Sequence, residues 1–172
     1  RLGFITGTID GKLDEGRRHA RLAMATAQHA GLDPAAAQAE LVLAGAERDG
    51  GQLDDALRHG QEAIALIERT LGGNDVAYSD ALGDTATTFA RRGEFPQALA
   101  FLVRAIELRA RLSGGQHPTV ASLRINLGNV LGELGRGREC REEHLDALAI
   151  LRSALGPTHR RTGVALLKIL AD

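Results

Sequence analysis

The sequence predicts an all-α fold built from repeated helix pairs, and three observations carry that prediction. Residues 31–72, 73–114 and 115–156 align without a gap, so the chain repeats itself every 42 residues. Glycines hold fixed register in those copies: Gly31, Gly73 and Gly115 open them, Gly72, Gly114 and Gly156 close them, and Gly51, Gly93 and Gly135 share an internal column. Between the glycines, apolar residues recur at helical spacing, three and four apart, and not in the alternation that a strand needs.

Taken in order, residues 1–30 read as a partial copy. Residues 1–10 would be the tail of a first helix, a poor one because of Gly3, Gly7 and Thr8, and Gly11 to Gly31 would be a second helix. Gly11 lies 40 residues before Gly51, which predicts a shortened turn near residues 29–34. Three complete copies follow, at 31–72, 73–114 and 115–156. In the last of them Leu123, Leu127, Val130, Leu131 and Leu134 form one face of a first helix that Gly135 ends, and Leu145, Leu148, Leu151 and Leu155 mark a second helix ending at Gly156. Residues 157–172 are a further partial copy, a single first helix over 160–171. Pro34, Pro118 and Pro157 fall in or just after the inter-copy turns and Pro96 in the first turn of a second helix, where a missing N–H costs nothing. Asp33 and His117 precede Pro34 and Pro118 as candidate N-caps, Asp33 the better one. Ala98 and Ala105, seven apart, share one helical face and admit a close neighbour. Cys140 takes the same slot as Ala98 and is expected to be a buried, inert, small hydrophobe.

Composition narrows the function. The 172 residues are 44% hydrophobic and 25% charged, ordinary for a globular chain, with a formal net charge of −1. That charge gives no pull toward nucleic acid or phospholipid, and Arg136, Arg138 and Arg141 are interleaved with Glu139, Glu142 and Glu143 as a solvated face. The single cysteine excludes an internal disulfide and fits a reducing, cytoplasmic setting. No run approaches the length of a membrane span. The residues Gly7 to Lys12 glance at a phosphate loop, but the glycine spacing is short and Leu13 stands where a hydroxyl is required. The six histidines show no H-x-x-x-H or H-E-x-x-H spacing, so neither a metal nor another cofactor is expected. His117 and His159 share a turn column and read as structural. No serine has a recognisable base, so an enzyme is not expected. Arg1 in first place predicts a piece excised from a longer chain.

Leu127-Gly128, Gly135, Cys140 and Ala147 in one copy, and Ala86, Gly93, Phe95, Ala98 and Ala105 in the copy before it, resemble the tetratricopeptide repeat. The period, the Gly115 to Pro118 opening and the closing Leu155-Gly156 look like the kinesin-light-chain subtype. Two positions depart from the family: Gly60 and Gly137 stand where bulky residues are usual. The resemblance covers residues 1–172 as one array and implies a right-handed superhelical solenoid of antiparallel helix pairs, with about three full repeats and a partial repeat at each end. It further implies a concave groove that binds a protein or peptide, within a larger bacterial signalling or regulatory protein.

Mapped onto that groove, the third copy presents Asn126, Asn129 and Glu133 with Arg124 nearby, and the second presents Asp80, Asp84, Thr87 and Arg91. Asparagine is a weak helix former, so a pair three apart in one helix is expected to have a use; an amide donates and accepts at once, which suits a peptide backbone. Asp80 and Asp84 repel at i, i+4 and imply a basic ligand or an arginine partner such as Arg124. Two other readings stand beside the scaffold: a sensor in which a short signalling peptide regulates an attached effector, and a self-association module that pairs through exposed terminal repeats.

Overall fold

The computed structural model describes residues 2–31 and 33–171, with side chains for 14–27, 29–31 and 33–170. Among the described residues the secondary structure is entirely helical: α1 (Leu2–His29), α2 (Asp33–Asp49), α3 (Leu53–Leu71), α4 (Val76–Arg91), α5 (Phe95–Ser113), α6 (Pro118–Glu133), α7 (Gly137–Leu155) and α8 (Arg160–Ala171). They divide into two compact units, α1–α3 within residues 1–73 and α4–α8 within residues 74–172. In the first unit α2 packs on α1 and α3; in the second each helix packs on the next in chain order, and α4 also touches α6.

The turns inside the three hairpins are copies of one another. Gly51, Gly93 and Gly135 sit at φ of 79°, 81° and 73°. The next residue in each case donates its N–H five residues back, Gln52 to Glu47, Glu94 to Phe89 and Arg136 to Leu131, at 2.8–2.9 Å. This is the left-handed C′ glycine closure of a helix, and a side chain at that column would be strained. The following turns are capped from a second shared column. Asp75 accepts from the Ala77 N–H at 2.7 Å, His117 Nδ1 from Thr119 at 3.2 Å and His159 Nδ1 from Arg161 at 3.1 Å. An imidazole thus does the work of the usual capping carboxylate, which is the structural role expected for His117 and His159.

Between the paired helices lie the small residues. Ala56, Ala63, Ala98, Ala105 and Ala147 are completely buried and Cys140 nearly so. A seven-residue interval brings each pair onto one face, so the two backbones approach closely. The third hairpin takes this furthest. A Cβ on Gly128 would lie 2.4 Å from His144 Nε2 and 3.2 Å from the Cys140 carbonyl. His144 is buried there, with Nε2 3.3 Å from the Ile125 carbonyl and Nδ1 3.8 Å from Cys140 Sγ.

Three expectations are corrected. The break foreseen between residues 10 and 11 is absent, and α1 runs through Gly11. An interior glycine costs a helix about 1 kcal/mol relative to alanine but does not end it without a turn behind it. The side chains of the phosphate-loop-like stretch at 7–12 lie outside the described residues. Leu134 is half-exposed as the C-cap of α6, not part of its apolar face. On α7 the buried face is Cys140, His144, Ala147 and Leu151 with Ile150, whereas Leu145 is 46% exposed. Leu145 stands one residue from His144 and so about 100° around the helix from the small-residue column. The shortened turn expected near residues 29–34 rests on the spacing of Gly11 and Gly51 and loses its ground with that break, and residue 32 lies outside the described residues.

Gly128→Ala should destabilise the chain by about 1–3 kcal/mol in urea unfolding, because the new methyl meets an imidazole backed by main chain. Gly137→Ala, with open space around its Cβ, should leave stability unchanged or raise it by up to about 1 kcal/mol.

Candidate functional site

Within the second unit, the first helices of two successive copies, α4 and α6, lie side by side. Gly83 allows it, since a Cβ there would fall 2.7 Å from Leu123 Cδ2. Two cavities open along this pair. One, of about 320 Å³, has Ala86, Ala90, Phe95, Leu102 and Val130 as an apolar floor and Thr87, Arg91, Asn126, Asn129 and Glu133 as its polar rim. The other, of about 220 Å³, is lined by Asp80, Asp84, Thr87 and Asn126, with Thr119, Ser122 and Leu123. Thr87 and Asn126 line both, so the two form one continuous trough. In the same hairpin Phe89 and Phe101 make an edge-to-face contact, 5.2 Å between centroids.

Seven of the eight residues expected in the groove are therefore brought together. The polar rim is unequally committed. Thr87 donates to the Gly83 carbonyl of its own helix at 3.0 Å and keeps only its acceptor lone pairs free to face the trough. Asn126 and Asn129 are half-buried, and neither side-chain amide is engaged with another described residue. Of the two other uses open to this pair, a hydrogen bond to the next helix is not made, and a plainly solvated edge is the other.

Arg124 is the exception. It lines neither cavity and turns toward α7, where it pairs with Glu143 at 2.6 Å and Asp146 at 3.2 Å. Nor does it meet Asp80. That carboxylate is paired with Arg109 of α5, which also reaches the Val76 carbonyl at 3.4 Å. The guanidinium of Arg109 is buried, so the charge of Asp80 is answered from within the fold. The sequence signals an arginine partner for this acid but not which one, because 29 residues separate the two.

A second polar cluster lies in the first unit and was not foreseen. His59 on α3 is buried against two buried acids of α2. Its Nδ1 contacts Glu40 and lies 3.7 Å from Glu62, while Nε2 is 2.8 Å from Arg58 and 3.5 Å from Glu47. Burial pushes the Glu47 carboxyl up from its ordinary value, and His59 pulls it part of the way back. The second oxygen of Glu47 is buried and unpartnered. Two sequence signals could have found this cluster. Ala36, Glu40, Leu43 and Glu47 fall at i, i+4, i+7 and i+11, which places two acids on a core face, and His59 and Glu62 are one helical turn apart.

Sequence models described as tetratricopeptide repeat match residues 35–111, 86–138 and 120–161. No curated protein matches the chain. Among solved structures, a Podospora anserina putative kinesin light chain with nearly identical TPR-like repeats superposes with a TM-score of 0.79 at 17% identity, covering 94% of this chain and 77% of that one. BtubC (BKLC) from P. vanneervenii gives a TM-score of 0.76 at 18% identity over 89% of this chain. The apo form of RapI gives 0.77 at 14% identity over 94% of this chain. This chain spans 62% of the length of BtubC and 44% of that of RapI. At these identities the likeness is one of fold.

Replacing Arg109 tests the reassignment of Asp80. Arg109→Ala should cost about 1–3 kcal/mol in chemical unfolding, since it strips a buried partner from Asp80 and Val76. Arg124→Ala, on a part-exposed pair, should cost no more than about 1 kcal/mol.

Proposed function

The chain belongs to the tetratricopeptide repeat family, and from that premise we propose that it is a non-catalytic scaffold that binds a peptide or an extended segment of a protein along α4 and α6. One observation carries the reading: Asn126 and Asn129, one turn apart, leave both amides unengaged on the rim of a trough with an apolar floor. An extended peptide backbone offers alternating N–H and C=O groups that such amides satisfy in either sense. The 320 Å³ recess takes an apolar side chain of that peptide. Asp80 contributes little to ligand charge because Arg109 neutralises it, so the recognition proposed is of backbone and one apolar anchor, not of a basic segment. A cytoplasmic, bacterial signalling or regulatory setting is part of the proposal. No helix among the described residues is long and apolar enough to cross a membrane. A sensor of a short peptide differs only in what the occupied trough does next, and scattering with and without peptide separates the two by a change in radius of gyration.

Self-association is a second reading with its own observation. On α8, Leu166, Leu167 and Leu170 are 49%, 66% and 75% exposed. A mass that rises with concentration supports it, and a monomer at all dilutions excludes it.

Selection of a random peptide library on the purified chain supplies the ligand for the direct test. Asn126→Ala combined with Asn129→Ala should weaken the selected peptide about tenfold or more, two hydrogen bonds at about 1 kcal/mol each. Unfolding stability should hold or rise slightly, as alanine is the better helix former. Unchanged affinity would remove these residues from the site.

A further inference from the structure

We propose that Glu40, His59 and Glu62 form a binding site for a divalent transition-metal ion, taken by the first unit between α2 and α3. One donor atom from each, an imidazole nitrogen and two carboxylate oxygens, lies within 4.8 Å of both others. Ligands around a zinc ion, each about 2 Å from it, stand about 3.3 Å apart, so Glu40, in direct contact with Nδ1, has to draw back and Glu62 to close in for the three to become legs of a tetrahedron. Glu40 and His59 are buried and fixed by α2 and α3, whereas Glu62 is half-exposed at the rim and leaves a route in. A mixed nitrogen and oxygen set selects zinc and its neighbours over magnesium, which prefers an all-oxygen shell with its waters retained.

The second observation is Glu47, on the far side of the same ring. The guanidinium of Arg58, which can only donate, faces Nε2 at 2.8 Å and Glu62 at 3.3 Å. Nε2 is then an acceptor, the ring proton is on Nδ1, and it is given to Glu40. Glu47 then turns Oε1 toward an imidazole nitrogen with no proton to offer, at 3.5 Å, and its other oxygen, Oε2, is buried without any partner. Metal at Nδ1 reverses the tautomer. The proton leaves Nδ1 and Nε2 carries the N–H, which Glu47 accepts. Arg58 is half-exposed; it gives up Nε2 and its bond to Glu62 and keeps Asp55, 3.5 Å away. The result is a carboxylate–imidazole–metal relay, the usual way in which a ligating histidine is oriented. It also settles two buried carboxylates beside a dication, where a single imidazole now faces both.

The test uses the purified chain, stripped with a chelator and titrated with zinc chloride, magnesium chloride serving as the contrast. Saturable binding of one zinc per chain and a higher thermal midpoint are expected, with no response to magnesium. Because His59→Ala removes a buried side chain and risks the fold, the informative variants are Glu62→Gln at the exposed rim and Glu47→Gln, isosteric with the native acid. Each should weaken zinc tenfold or more while the zinc-free midpoint holds. Arg58→Ala should bind zinc at least as tightly as the native chain. Absence of saturable binding would overturn the site and leave His59 as a bridge between acids. Zinc binding untouched by Glu62→Gln would overturn it equally, by moving the ion to surface histidines.

Discussion

Each hairpin rests on one steric constraint: at two positions seven apart, where its second helix lies against its first, nothing larger than alanine or cysteine stands. The constraint propagates. Close backbones demand a turn of fixed length, the turn demands a left-handed residue, and glycine supplies it at the same place in every copy. The inter-hairpin turn then repeats as well, so within the second unit α4 and α6 come side by side with their polar edges in step. The trough is a consequence of that repetition more than of any residue lining it.

The periodic part of this was open to reading from residues alone, because turns and small-residue columns are local and recur. Gly51, Gly93 and Gly135, all at positive φ, and the completely buried alanines of the small-residue columns stand where the 42-residue register puts them. What could not be read was any partnership between positions unrelated by the repeat. Arg109 and Asp80 meet across helices, and neither spacing nor composition prefers Arg109 to Arg124. The asparagine pair is assigned to the groove by the resemblance to the repeat family, not by its own spacing. The floor supplied by Phe95 and Leu102 comes from the second helix and needs the hairpin closed first. Leu145 shows the reverse error, in which an apolar residue invites a core assignment that the small-residue column had already fixed elsewhere.

The two units solve their interiors differently. Between α4 and α5 the filling is aromatic and aliphatic, with Phe89, Phe101 and Leu102. Between α2 and α3 it includes an imidazole and two acids. Buried charge of that kind contributes little net stability, and it makes the hairpin responsive to whatever supplies the missing partner.

Position 128 and position 144 pair across the third hairpin as Gly with His, and their counterparts 86 and 102 in the second pair as Ala with Leu. In the first hairpin the same two positions are Ala44 and Gly60, both small, so the bulk held at this place differs from copy to copy. A bulky side chain at 144 is tolerated only because the residue opposite it carries no Cβ, which ties the choice at one helix to the choice at the other within this hairpin.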